Sequence, residues 1–317
     1  MISLENLVKR FPLSGGDKVA VDNISFDLPK GEFFTLLGPS GCGKTTTLRS
    51  IAGLEKPTAG TISIDGEKVY DNKVIVPANK RGLGMVFQSY AVWPHMSVFE
   101  NVAFPLHVAD ERPSRSEVKR RVHETLELVD LGGLGQRPAT MLSGGQQQRL
   151  SLARALVKQP KMLLLDEPLS NLDAKLRDRM RSELRVIQQH LGITTLFVTH
   201  DQVEALSMSD RVAVMNNGKI EQIGGPRDVY HDPLTAFVAD FIGGANTLDG
   251  IVEAVEPDGS AILSTECGRI LGRGLPDLVV GRPAVASIHL EDVQLSTDEA
   301  TNLSQHNVFE GVVSLGL

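Results

Sequence analysis

The stretch Gly38-Pro39-Ser40-Gly41-Cys42-Gly43-Lys44-Thr45 constrains this chain more than any other. It matches the phosphate-binding loop pattern G-x-x-x-x-G-K-[ST] at every fixed position. Ahead of it, Phe33-Phe34-Thr35-Leu36-Leu37 is a short apolar run that reads as a buried strand. Behind it, Thr45 to Ala52 places Leu48, Ile51 and Ala52 at helical spacing. Glycines between a strand and a helix let the backbone curl so that successive N–H groups face inward, and the helix N-terminus adds its partial positive charge. Lys44 is then placed to reach the β- and γ-phosphates of a nucleotide, and the Thr45 hydroxyl to take a Mg²⁺ coordination position. Thr46, in the first helical turn, joins the same candidate nucleotide-binding set. The plainer reading is a glycine-rich turn into an ordinary helix. With glycine at about 7% of residues, a chance match in this length is on the order of a per cent. The flanking strand and helix lower those odds, and the stretch is read as a nucleotide-triphosphate site.

Composition narrows the setting. A chain of 317 residues can build one large core and a second, smaller domain. Lys plus Arg is 32 against 39 Asp plus Glu, a net charge of −7, so the electrostatic footprint of non-specific nucleic-acid binding is missing. No apolar run approaches the ~18 residues of a membrane span, and Met1 to Arg10 has no signal-peptide core. Two cysteines, Cys42 and Cys267, form no metal-ligand pattern and suit a reduced, cytoplasmic setting. Cys42 either is a reactive thiol, lying among loop amides beside Lys44 where a thiolate is favoured, or is a small buried cysteine filling a turn.

Residues 2 to 28 alternate in two runs, Ile2 to Lys9 and Lys18 to Leu28, around a turn at Gly15-Gly16-Asp17, which predicts an antiparallel pair. Thr61-Ile62-Ser63-Ile64 leads into Asp65-Gly66, a hairpin dipeptide. Gly84-Met85-Val86-Phe87 reads as a buried strand ending at Gln88. Ser97-Val98-Phe99-Glu100 and Ser114-Arg115-Ser116-Glu117 match the capping box, so each opens a helix. The second places Val118, Val122, Leu126 and Val129 on one face and stops near Gly132-Gly133. Residues 89 to 158 are therefore expected as a helical insertion in an α/β domain.

Leu142-Ser143-Gly144-Gly145-Gln146 admits two readings. It is a further capping box, opening a helix that buries Leu150, Ala153 and Leu156. That explains Ser143 and Gln146 but not the paired glycines, which are costly near a helix start; as an anion-binding surface the glycines make sense. Lys161 to Glu167 is an apolar run ending in two carboxylates, the mark of a parallel strand covered on both faces. Asp166 is placed for Mg²⁺ and Glu167 to polarise a water. A helix face follows at Leu172, Leu176, Met180, Leu184, Ile187 and Leu191, then a buried strand, Thr194 to Val198, that leads to His200. A lone histidine is usually structural, but ligands of open α/β sheets gather at strand C-termini. Asp210 to Met215 and Lys219 to Ile223 flank a hairpin turn at Asn216-Asn217-Gly218, and Val229 to Phe241 reads as one helix before Gly243-Gly244. After residue 244, runs such as Ile251 to Val255 and Ala284 to Ile288 have all-β spacing. Phe11, upstream of the loop, could stack on adenine, though pattern alone favours a core role.

Taken in this order, the motifs resemble those of ATP-binding cassette (ABC) ATPases over residues 1 to about 235. The resemblance implies an α/β fold: a P-loop NTPase core with an antiparallel β subdomain and helical insertion. A small all-β domain, a partial barrel, follows over 236 to 317. It implies ATP and Mg²⁺ as ligands, with Thr45, Gln88 and Asp166 at the metal. Gln88 contacts Mg²⁺ and the attacking water, Glu167 is the general base, and His200 contacts the γ-phosphate as a switch. Ser143, Gly144, Gly145 and Gln146 grip the γ-phosphate of ATP held by a second copy. Ser170-Asn171-Leu172-Asp173 matches the loop that crosses the dimer interface, which adds Asp173 to the nucleotide-binding set. Phe11 falls where the family stacks an aromatic on adenine.

Gln88 to Met96 further resembles ATPases of sugar, glycerol-phosphate, polyamine and ferric-iron importers, and Trp93-Pro94-His95 leans towards iron or polyamine. The implied partners are a second copy, integral membrane permease subunits and, indirectly, a periplasmic or lipoprotein substrate-binding protein. The implied location is peripheral, on the cytoplasmic face of the inner membrane. Residues 89 to 104 are expected to dock a permease helix, with Tyr90, Trp93 and Phe99 at the wall or in the core of the insertion. Ser287-Ile288-His289-Leu290-Glu291 departs from the relatives' Arg-Pro-Glu pattern. Leu315-Gly316-Leu317 resembles a mid-barrel segment, so the β domain is expected to be incomplete. A soluble cassette ATPase acting on nucleic acid or ribosomes is the alternative, disfavoured by the acidic charge and the single cassette. A purely structural nucleotide-binding module is disfavoured by Glu167 and His200.

Overall fold

Fully apolar runs and alternating runs go to different sheets in this chain. The computed structural model describes residues 1–12, 16–244, 246–274, 278–289, 292–293 and 307. In chain order the first elements are β1 (Ile2–Phe11), β2 (Lys18–Leu28), β3 (Phe33–Leu37), α1 (Lys44–Ala52), β4 (Ala59–Ile64), β5 (Glu67–Tyr70) and β6 (Leu83–Val86). Then come α2 (Val98–His107), α3 (Arg115–Leu128), α4 (Gly144–Leu156), β7 (Met162–Asp166), α5 (Ala174–Leu191), β8 (Thr194–Thr199), α6 (Gln202–Met208), β9 (Arg211–Asn216) and β10 (Lys219–Gly224). The last are α7 (Pro226–His231), α8 (Ala236–Gly243), β11 (Asn246–Val255), β12 (Ser260–Thr265), β13 (Gly268–Arg273) and β14 (Pro283–Ile288). The chain divides into two compact units, Met1–Arg227 and Asp228–Leu317.

The first unit holds a six-stranded sheet in the order β10-β9-β3-β8-β7-β6. Its β6, β7, β8, β3 and β9 run parallel. Every residue of β3, β7 and β8 is buried, because both sheet faces are covered. Phe34, Leu36, Leu164, Leu196 and Val198 pack to one side against α1 and the antiparallel sheet β2-β1-β4-β5. There Ile2 sits opposite Leu28 and Ile64, and Leu4 opposite Phe26 and Ile62, so alternation puts one row of apolar side chains inward. Phe33, Leu163, Leu165 and Phe197 point to the other side, where Val102, Val122, Leu150 and Leu184 of α2 to α5 cover them.

The hairpin turns follow their residues: Asp65 and Gly66 have φ 51° and 81°, Asn217 and Gly218 φ 46° and 82°. Two expectations need correcting. The helix from Ser114 ends at Leu128, and Asp130, at φ 58°, has already left the helical region before Gly132. Val229 to Phe241 is not one helix but parts of α7 and α8. Pro233 disfavours helical backbone at Asp232, and Thr235 starts α8 afresh by accepting from the Val238 N–H at 3.2 Å.

The second unit contains the antiparallel sheet β13-β12-β11-β14 over a small core of Val252, Leu263 and Ile270. The Asn307 side chain bonds both backbone groups of Leu271 on edge strand β13, at 2.7 and 2.8 Å. Gly15 of the expected first turn, Leu290, Glu291 and the segment Leu315 to Leu317 lie outside the described residues.

Phe33 and Phe197 meet at 5.7 Å between ring centroids in the middle of the larger core. Phe197→Ala is expected to lower stability by about 3–5 kcal/mol. Urea unfolding should show a lower midpoint at unchanged slope.

Candidate active site

The parallel register sets the strand ends level. Leu37 lies beside Thr199, Asp166 beside Val198, and Val86 beside Leu165. Each end delivers one predicted segment: the glycine loop after β3, Gln88 after β6, Asp166 and Glu167 at β7, and His200 after β8. Carboxyl ends of strands at a switch in strand order are where such sheets bind ligands.

The loop is glycine-rich because neighbouring backbones crowd it. A Cβ on Gly38 would lie 2.2 Å from the Met215 carbonyl oxygen, and one on Gly43, at φ 106°, 2.3 Å from that of Ala20. Gly43 leads into α1 with no side-chain cap, whereas Ser97, Ser114, Ser143 and Asp173 each cap the helix they begin. The first-turn N–H groups of α1 therefore remain for an anion. Lys44 Nζ donates to the carbonyls of Gly38 at 2.7 Å and Pro39 at 2.9 Å, which holds a buried ammonium against the loop.

Thr45 Oγ1 donates to Asp166 Oδ1 at 2.9 Å, and Arg49 Nη2 lies 3.8 Å from Asp166 Oδ2. Burial pushes the Asp166 carboxyl up, partly offset by Thr45 and Arg49. A hydroxyl and a desolvated carboxylate in contact are hard oxygen donors of the kind Mg²⁺ shares with phosphate oxygens and waters. These residues fit the metal.

Gln88, Glu167 and His200 converge on a single atom. Gln88 Nε2 donates to Glu167 Oε2 at 3.2 Å, and His200 Nδ1 lies 3.3 Å from the same oxygen. Glu167 is held at φ 44°, a conformation that costs a non-glycine residue about 1–3 kcal/mol. Its N–H donates to Val198 O at 3.0 Å and its carbonyl accepts from Ser170 Oγ at 2.9 Å. Asn171 Nδ2 donates to Gln88 O at 2.8 Å, so the Ser170–Asp173 segment braces both residues.

The hydrogen bonds and ring contacts of the remaining predicted residues lie within their own segments. Phe11 is half-buried and carries Lys9 Nζ 4.6 Å over its ring. Asp173 caps α5 by accepting from the Leu176 N–H at 3.0 Å. Ser143 and Gln146 form a complete capping box. A Cβ on Gly145 would come 3.0 Å from the Leu176 side chain on α5, a tight contact. Gly144 has nothing within 4 Å of its added Cβ and, with Ser143, is exposed.

The structure decides between open readings at two residues. Cys42 is 3% exposed, and burial pushes its thiol up despite nearby Lys44, so no thiolate is favoured. Tyr90 is part of the core of the helical insertion, while Trp93 is half-buried against Phe104 at 4.4 Å. Sequence reasoning also missed the support behind His200. Thr199 Oγ1 donates to the buried Glu204 carboxylate, and Arg177 reaches Leu172 O at 3.1 Å and Asp201 Oδ2 at 3.5 Å. Burial raises the Glu204 carboxyl. No local pattern announces these partners, which come from different elements.

Comparison with known proteins identifies this arrangement. Residues 21–170 match the family described as ABC transporter. The spermidine/putrescine import ATP-binding protein PotA of Rubrobacter xylanophilus is 48% identical over 99% of this chain and 81% of its own length. The chain belongs to the ABC transporter family. The Fe(3+) ions import ATP-binding protein FbpC of Photorhabdus laumondii is 53% identical over 77% of this ABC chain and 67% of its own. The dimeric ABC transporter cassette MJ0796 superposes with a TM-score of 0.63 at 33% identity, covering 72% of this chain and 99% of that one. A second dimeric structure of MJ0796, a post-hydrolysis state bound to ADP and Pi, matches with the same TM-score of 0.63. The chain is thus an ABC ATPase, with the α/β cassette fold its sequence implied. Among the described residues, no helix is long and apolar enough to cross a membrane.

The two cysteines should differ sharply towards iodoacetamide. Cys267 is exposed and is expected to be alkylated in the native protein at pH 8, whereas Cys42 is expected to react only after unfolding. Peptide mass spectrometry reads both; native alkylation of Cys42 at the rate of Cys267 would contradict its burial.

Proposed function

We propose that this chain is the ATP-hydrolysing subunit of an import system for a polyamine or ferric iron, acting as a head-to-tail pair beneath separate membrane permeases. The observation that carries the chemistry is the convergence of Gln88 and His200 on Glu167 Oε2, beside a phosphate loop whose helix N-terminus is uncapped. Residues 1 to 235 are the proposed nucleotide-binding domain and 236 to 317 a C-terminal β domain.

In this reading the triphosphate lies on the N–H groups between Gly38 and Thr46, including those of Pro39's neighbours Ser40, Gly41, Cys42 and Gly43. Lys44 leaves the Gly38 and Pro39 carbonyls to contact the β- and γ-phosphates. Mg²⁺, held by Thr45, Asp166 and Gln88, neutralises charge on the phosphate oxygens when bound. Glu167 takes the proton of a water that attacks the γ-phosphorus in line; the bond to the bridging oxygen breaks, leaving ADP and inorganic phosphate. Gln88 orients that water and His200 contacts the γ-phosphate. Phe11 stacks on adenine.

Exposed Ser143 and Gly144, with Gly145, Gln146 and Asp173, serve the nucleotide of the partner copy. The open space beside Gly144 is what a phosphate approaching from another chain needs. Trp93 and the segment around it face the permease. The chain then works peripherally on the cytoplasmic face of the inner membrane, with a substrate-binding protein on the far side and no nucleic acid. Resemblance to polyamine-import relatives over nearly the whole chain favours a polyamine, and the 53% identity to an Fe(3+) relative keeps ferric iron as the second substrate.

Glu167→Gln keeps shape without basicity. ATP turnover is expected to fall by about 10²–10⁴-fold, with ATP binding intact by equilibrium dialysis. Cells carrying only this variant should lose uptake of labelled spermidine, or of Fe³⁺ if iron is the substrate. Wild-type turnover by the variant would remove Glu167 as base; normal uptake of both compounds would remove the assigned cargo.

A further inference from the structure

The Gln88 loop carries a conformation that its residues do not choose for themselves. Tyr90 and Ala91 are consecutive non-glycine residues at φ 59° and 47°. Left-handed backbone is disfavoured for both, and two in succession need an outside hold. Three side chains grip this loop. Asn171 binds Gln88 O at 2.8 Å. Farther along, buried Asn101 on α2 accepts from the Trp93 N–H at 3.0 Å and donates to Trp93 O at 3.1 Å. Between them Arg154, on α4, donates Nη2 to Tyr90 O at 2.8 Å and Nη1 to Ala91 O. The same guanidinium lies 4.6 Å over the Trp93 ring.

We propose that Arg154 is a positioning residue for hydrolysis: its planar fork fixes the left-handed Tyr90–Ala91 turn and so sets where Gln88 meets Glu167. A guanidinium bridges two adjacent carbonyls while laying its plane on an indole; an ammonium can bridge carbonyls, as Lys44 does, but has no plane to stack. Arg154 is half-buried, and burial works against its charge, so it is held there by these partners. Its helix begins at Ser143-Gly144, the surface assigned above to the partner's nucleotide. Arg154 thereby joins the part of the chain that meets the other copy to the loop that reaches this copy's carboxylate. The inference rests on the reading of Gln88 and Glu167 as catalytic.

Glycine adopts positive φ without steric penalty, and the Ala91 side chain is exposed, so Ala91→Gly lifts the strain at one of the two left-handed residues while touching little else. Arg154→Met is expected to slow turnover at saturating ATP by about tenfold or more, within the roughly 10²-fold that a 1 Å misplacement brings. The ATP dissociation constant should stay unchanged, because Arg154 does not touch the phosphate loop. Ala91→Gly alone should turn over as wild type, and Arg154→Met with Ala91→Gly should turn over measurably faster than Arg154→Met, a partial recovery because Tyr90 stays left-handed. A double variant as slow as Arg154→Met would overturn the proposal, leaving Arg154 as packing for Trp93. So would a rate that falls only with the folded fraction measured by circular dichroism. If Arg154→Met does not fold, Arg154→Lys, which keeps stem and charge but lacks the fork, takes its place in the same scheme. Gln88→Ala is run alongside. If it is slow while Arg154→Met is normal, only this proposal fails; if it is normal, the catalytic reading of Gln88 fails and the proposal with it.

Discussion

The parallel register of β3, β8, β7 and β6 is the constraint on which the site depends. Leu37, Thr199, Asp166 and Val86 end their strands level with one another; β3, β8 and β7 are buried on both faces and cannot slip by a residue without turning their side chains to the wrong core, and the edge strand β6 follows β7. Phe33 and Phe197 on one face, and Phe34 and Val198 on the other, fix that register from both sides. Level ends bring a lysine, two carboxylates, a glutamine and a histidine from widely separated segments to one rim. Hydrophobic burial does the positioning, and the polar residues inherit it.

On that rim, strain and clasp recur. Glu167 sits at φ 44°, tied down by backbone bonds to Val198 and Ser170. Tyr90 and Ala91 sit left-handed under Arg154. Gly38 and Gly43 run so close to the Met215 and Ala20 carbonyls that any side chain there would displace β9 or β2. Conformations that cost free energy persist where the surroundings over-determine them, and such places gather at sites of chemistry.

Much of this was legible in the sequence, for local reasons. The phosphate loop, the apolar strands and the Asp65-Gly66 and Asn217-Gly218 turns are set by residues within a few positions of each other. So is the capping box at Ser143. The single helix read across Val229 to Phe241 failed because Pro233 was passed over, a signal that was present. The close approach of Gly145 to Leu176 on another helix could not be read from its own segment. The meeting of Gln88 with Glu167 spans 79 positions and the Arg154 clasp 63. Periodicity carries no information at that range. At Cys42 the two readings stay open in the sequence because burial and the neighbouring Lys44 charge oppose each other, and only the fold shows that burial is the larger effect.

In the proposed dimer each site joins the phosphate loop of one copy to the Ser143–Gln146 surface of another. The direct measurement is single-turnover ATP cleavage by heterodimers isolated through two different tags, one copy carrying Lys44→Ala and the other Ser143→Arg. One site then collects both defects and the second is whole, so cleavage should rise well above either mutant homodimer. Cleavage no greater than in the two homodimers would mean that each chain builds its site alone, and would contradict the account.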